Sequence, residues 1–180
     1  MLHGMKPKIF MVIVFSACLL CICHVKRYEK VDPYSFIQQK YGAAESYLQP
    51  QKLIFETVDE KQENQYLVFY YNEKGTITCV LLCKGVFSYK IMDVSSEIAV
   101  PEDALSANIL FSTYNKGNDW VLWGCHANEK IDVITVNGQK ADTYDINDSC
   151  DLFFVHGSGL QNDLPTVYYF NTNGNMILYP

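Results

Sequence analysis

With 180 residues, 49% of them hydrophobic and 19% charged, the chain has the composition of one folded core plus an appendage, not of a disordered segment. Thirteen Tyr and ten Phe lean it towards pleated, half-buried structure. Residues 1–30 hold five Lys and Arg against one Glu, and the remainder nine Lys against nineteen acids; so acidic a surface repels phosphate backbones, and no nucleic-acid partner is expected.

Residues 9–25 read IFMVIVFSACLLCICHV, interrupted only by Ser16 and His24 and flanked by Lys6, Lys8, Lys26 and Arg27. At about 1.5 Å per residue they reach roughly 26 Å, the short edge of a bilayer span. A basic start and an apolar centre also describe a secretory signal. Three fates are open: an uncleaved transmembrane helix, a signal peptide cleaved after Cys23, or acylation at Cys18, where Phe15-Ser16-Ala17-Cys18 resembles a bacterial lipobox with Phe in place of the usual Leu. Basic residues are nearly balanced across the run, so orientation rests on the habit of such N-terminal spans to act as export signals. The reading divides the chain into a membrane anchor or signal segment over residues 1–30 and an extracytoplasmic β domain over 31–180.

Asp32-Pro33 is a helix start, with Asp as cap and Pro at the first helical position. The helix is expected over 33–41, ended by Gly42, as a lid or spacer. Strands follow at 53–58, 65–71, 76–84, 86–92, 108–114 and 119–125, with turns at Asn72-Glu73-Lys74-Gly75 and 115–118 and an irregular stretch at 95–101 before Pro101. Residues 131–136 lead through Asn137-Gly138 into 139–144, a type I′ hairpin signal because both turn residues accept positive φ. Further strands are expected at 151–155, 166–170 and 176–179, the last two joined through Asn171-Thr172-Asn173-Gly174. Short strands at near-regular spacing predict a mostly β fold: an antiparallel sandwich or partly open barrel after an N-terminal apolar helix and one short helix. A break near Asp103 would divide it into two smaller sheets.

Four cysteines stand outside the apolar run. Cys79 and Cys83 share one face of a strand but lie about 13 Å apart, too far to pair with each other. Any disulfide from either must reach Cys125 or Cys150; the alternative is buried free thiols. Cys79-x3-Cys83 in a strand is no zinc knuckle, and the acidic run Asp142, Asp145, Asn147, Asp148, Asp151 lacks the glycine and closing Glu of a calcium loop, so it reads as a solvated loop. No cofactor or metal is expected. His156-Gly157-Ser158-Gly159 lacks the first glycine of a nucleophile elbow and reads as a flexible turn. Cys125 and His126, adjacent in a strand, point to opposite faces. Tyr66, Phe69, Tyr70, Tyr71, Trp120, Trp123, Tyr168, Tyr169 and Phe170 either fill the core or build an aromatic platform. In Tyr70-Tyr71 and Tyr168-Tyr169, one ring must face each way.

Trp123-Gly124, then Ile131-x-Val133-x-x-Val136-Asn137-Gly138, Ala141, and Tyr169-Phe170-Asn171-x-Asn173-Gly174 together resemble small membrane-anchored or lipid-modified envelope proteins of Gram-positive bacteria. The resemblance covers about the last third of the chain. It implies a compartment and a β domain, and assigns no site. The expected function is a membrane-anchored, extracytoplasmic binding or interaction protein, held to the membrane by its N-terminal segment and engaging a protein or cell-wall component. The alternatives are a cell-wall-directed hydrolase using His156 and Ser158, and a structural subunit of a membrane complex.

Overall fold

The computed structural model describes residues 7–28, 31–44, 48–58, 64–86, 88–101, 107–114, 118–127, 130–147, 150–159 and 164–177. Two helices, α1 (Pro7–Tyr28) and α2 (Pro33–Tyr41), precede twelve strands: β1 (Pro50–Val58), β2 (Gln65–Asn72), β3 (Ile77–Lys84), β4 (Tyr89–Val94), β5 (Ala107–Tyr114), β6 (Asp119–His126), β7 (Val133–Val136), β8 (Gln139–Lys140), β9 (Asp142–Asn147), β10 (Cys150–Ser158), β11 (Val167–Phe170) and β12 (Met176–Ile177). They form three antiparallel four-stranded sheets, ordered β1-β2-β3-β4, β5-β6-β10-β9 and β12-β11-β7-β8. The mostly β expectation holds. None of the sheets closes into a barrel, which corrects that half of the sequence reading.

Burial explains the stacking. Leu67, Phe69, Cys79 and Leu81 of the first sheet share a core with Val121, Trp123, Cys125, Leu152 and Phe154 of the second. The opposite face of the second sheet supplies Trp120, Leu122, Phe153 and Val155, which pack on Ile134, Val136 and Tyr169 of the third. The opposite face of the first sheet buries Val68, Tyr70, Val80 and Leu82 under α2. The layers therefore run α2, first sheet, second sheet, third sheet. Strands such as β6, DWVLWGCH, are buried at every position because apolar layers cover both their faces. Each large side chain removed from water in this way contributes about 1.5–3 kcal/mol.

The short helix starts as read: Asp32 caps it, its carboxylate accepting from the Ser35 N–H at 2.7 Å. It is more than a spacer. Ile37 is fully buried, and Tyr34, Phe36 and Tyr41 pack beside it on the first sheet.

The turn after β2 is tied by Asn72, whose side-chain oxygen accepts from the N–H groups of Lys74 and Thr76. At the Asn137-Gly138 turn both residues have positive φ, 50° and 79°, as that dipeptide predicts. The strand that follows is not continuous. β8 pairs with β7 in the third sheet, and after buried Ala141 the chain enters β9 in the second. Asp142, Asp145 and Asn147 of the acidic run thus lie on an edge strand and not in a loop, and Asp151 on its neighbour β10; edge positions tolerate charge, and Asp142 and Asp145 are exposed there. Likewise 156–158 belong to β10 and do not form a turn. The stretch near Asp103, residues 115–117 and Asp148 lie outside the described residues.

In α1 the described side chains are residues 11–20, 22 and 23, and every one is exposed. Among the described residues no helix is long and apolar enough to cross a membrane. The apolar run read from the sequence extends beyond those positions at both ends.

Candidate functional site

The outer face of the third sheet is the strongest candidate surface. Along β7 and β11 the residues alternate. Ile134, Val136, Val167 and Tyr169 point into the core against the second sheet. Val133, Thr135, Tyr168 and Phe170 consequently point away from it. Register aligns them: Phe170 pairs with Val133 on one side and Met176 on the other, and Tyr168 pairs with Thr135. Tyr168 is 43% exposed and Met176 54%, with Val133 and Phe170 half-buried. The face is apolar and aromatic, with Lys140 at its border opposite Thr135. Of the Tyr168-Tyr169 pair, one ring faces each way, as strand geometry requires. Tyr70 and Tyr71 divide in the same manner, Tyr70 under α2 and Tyr71 towards the second sheet.

The described cysteines are free thiols. Cys125 on β6 and Cys150 on β10 lie in the core between the first and second sheets, with Leu152 the partner of Cys125 in register. The Cys125 S–H donates to the Ala99 carbonyl at 3.9 Å and that of Cys150 to the Asp151 carbonyl at 4.0 Å. The nearby Cys150 thiol, with burial, pushes the Cys125 thiol well up, while Cys125 holds Cys150 below the ordinary thiol range. Cys79 faces the same core, but burial and the nearby Asp93 carboxylate, not another thiol, set its raised pKa. Cys83 shares its strand face, half-buried opposite Gln65. The structure thus places Cys125 and Cys150 in one core on adjacent strands, with Cys79 facing them from the first sheet. The sequence offered no signal for this pair, because β6 and β10 are neighbours only through the crossover.

A cleft of about 250 Å³ opens between β1 and β9, lined by Lys52, Leu53, Ile54, Tyr71, Tyr144, Asp145 and Ile146. Phe55 and Tyr144 stack with ring centres 4.5 Å apart and hold the two sheet edges together. Burial, followed by the charges of Cys150 and Cys125, raises the Tyr71 phenol, which places that ring between the cleft and the thiols.

On the other face, Asp145, Asp151 and His126 form one row across β9, β10 and β6. Burial, then the bond and charge of Asp145, raises the Asp151 carboxyl. His126 is 1% exposed with Nε2 3.9 Å from Asp151, yet burial outweighs that attraction and lowers its pKa. Among the described residues no group of three His, Cys, Asp or Glu is placed to hold a metal ion.

The hydrolase candidates share a face of the second sheet. Asp119 is the register partner of Ser158, and His156 lies two residues before it on β10. The His156 ring stacks on Tyr114 with centres 5.6 Å apart, and the Tyr114 hydroxyl donates to Gln65 Oε1. No family model, curated protein or solved structure matches the chain.

Proposed function

We propose that this chain is an envelope protein, held in the membrane by its N-terminal apolar segment, whose β domain lies outside the cytoplasm and binds a protein partner through the outer face of the third sheet. The observation that carries this reading is the aligned row Val133, Phe170 and Met176 beside exposed Tyr168. A strand face turned away from its core is ordinarily polar; contiguous apolar surface on it marks an interaction site. Met and aromatic side chains are the types enriched where proteins meet, whereas a glycan needs polar groups converging beside an open ring. The membrane assignment draws on the basic-flanked apolar run and on the exposed side chains of α1 between Met11 and Leu20. The resemblance to Gram-positive envelope proteins supports the compartment.

The test is site-specific photocrosslinking in intact membranes. A photoreactive residue at Tyr168 or Met176 is expected to capture a discrete second polypeptide, and one at Lys90, on the exposed edge of the first sheet, is not. Tyr168→Asp should remove the adduct without changing the melting temperature. Equal labelling from Lys90 and Tyr168, or none from either exposed side chain of the third sheet, would exclude this face as the binding surface.

A further inference from the structure

β6 and β10 are neighbours in the second sheet, although the chain between them leaves to build β7 and β8 of the third sheet and returns as β9. Cys125 closes the outward strand and Cys150 opens the returning one. Because Leu152 is the partner of Cys125, Cys150 stands one diagonal step away on the same face, its side chain turned into the same core. We propose that Cys125 and Cys150 are a disulfide-forming pair, a staple that ties off the excursion carrying the third sheet. Diagonal neighbours on adjacent antiparallel strands stand about 7–8 Å apart, so closing the bond draws the first residue of β10 towards the end of β6.

The chemistry balances with a small-molecule disulfide as oxidant. Cys150, the first residue of β10, is the attacking sulfur, its thiol held below the ordinary range by the neighbouring Cys125. Cys150 attacks the oxidant, breaking its S–S bond and expelling one small thiol. Cys125 then loses its proton, attacks the Cys150 sulfur of the mixed disulfide, and expels the second small thiol. Two electrons pass from the pair to the oxidant. Both thiols are buried, so the native protein reacts slowly.

Cys79 and Cys83 lie on the first sheet, and facing sheets stand about 10 Å apart, beyond the span of a disulfide to β6 or β10. The backbone of Cys79 is held by Ser95, whose hydroxyl accepts from its N–H and donates to its carbonyl. Cys83 lies at the rim opposite Gln65.

The experiment uses the full-length protein in detergent, incubated with oxidised glutathione or with dithiothreitol, then alkylated, digested without reduction and mapped by mass spectrometry. The expected product is a Cys125–Cys150 linked peptide, about 2 Da lighter than the sum of its reduced parts. Closing a loop of roughly 25 residues should raise the melting temperature by about 10 °C. Cys79→Ser should keep both effects, and Cys150→Ser should lose both. A linked peptide joining Cys79 or Cys83 to either thiol would overturn the assignment, as would alkylation of both Cys125 and Cys150 after oxidation. Peptide mapping of the wild-type protein decides the matter even if a serine variant fails to fold. It is also indifferent to compartment and to any partner, so its outcome is separate from that of the crosslinking above.

Discussion

The six-membered ring of the Trp120 indole occupies the space in which a side chain on Gly157 would stand. The two are register partners on β6 and β10, on the face that packs against the third sheet. Glycine in a strand interior normally weakens it; here it admits an indole lying close over the neighbouring backbone. Gly157→Ala should therefore destabilise the protein by about 1–3 kcal/mol through overpacking. Urea denaturation measures it. Replacing Trp120 by Leu in the same chain should recover part of the loss, since the two sites are in contact and not additive. A Gly157→Ala variant as stable as the parent would mean that the indole lies elsewhere.

Gly138 is the complementary case. A Cβ there would meet nothing within 4 Å, yet its φ is 79°. Any cost of substitution is conformational and not steric against neighbours. Gly138→Val should lose about 1–2 kcal/mol, the penalty of a left-handed backbone for an L side chain, with Gly138→Asn losing less. Equal stability of the Val and Asn variants in urea would show that the turn does not hold this conformation in solution.

His126 supplies a pH dependence whose sign follows from its surroundings. Burial beside the Phe153 ring holds its folded pKa below the unfolded value of about 6.5. The unfolded chain takes up the proton first, so this contribution is complete above about pH 6.5 and is lost as the pH falls below it. Asp151 has the opposite sense, holding a proton in the folded state at a pH where the unfolded carboxyl has lost it, but that window lies lower, above about pH 4. Unfolding free energy should thus decline between about pH 7 and pH 5.5, and His126→Phe should flatten that slope. A slope unchanged in the variant would assign the titration to another group.

The sequence carried local chemistry well and layer order poorly. Asp32-Pro33 and Asn137-Gly138 were legible because cap and turn geometry depend on a few adjacent residues. The all-apolar texture of β2 and β3 was visible too, but not its cause, which is that α2 covers one face and the second sheet the other. Ile37, the residue that seats α2, gave no sign in a nine-residue helix of mixed polarity. The acidic run misled because Asp disfavours strands in general, while an edge strand accepts it. The placement of Cys125 beside Cys150 and the outward row of the third sheet both depend on the switch of sheets at Ala141, which no local pattern announces.

The membrane assignment makes its own prediction. The described side chains of α1 from Met11 to Leu20 are exposed and offer no polar face, so a charge placed among them has nowhere to turn within a bilayer. Arginine near the centre of a spanning helix costs about 2.5–3.5 kcal/mol. Val14→Arg combined with Ala17→Arg should therefore release a large fraction of the chain from membranes under an alkaline wash, where the parent stays bound. The same variant should keep the parental melting temperature, because the three hydrophobic cores draw on no described side chain of α1. Retention of both proteins in the pellet would point to attachment by another route, such as an acyl chain on Cys18. Release of both would remove the anchor from the proposed function and leave the third-sheet surface to stand alone.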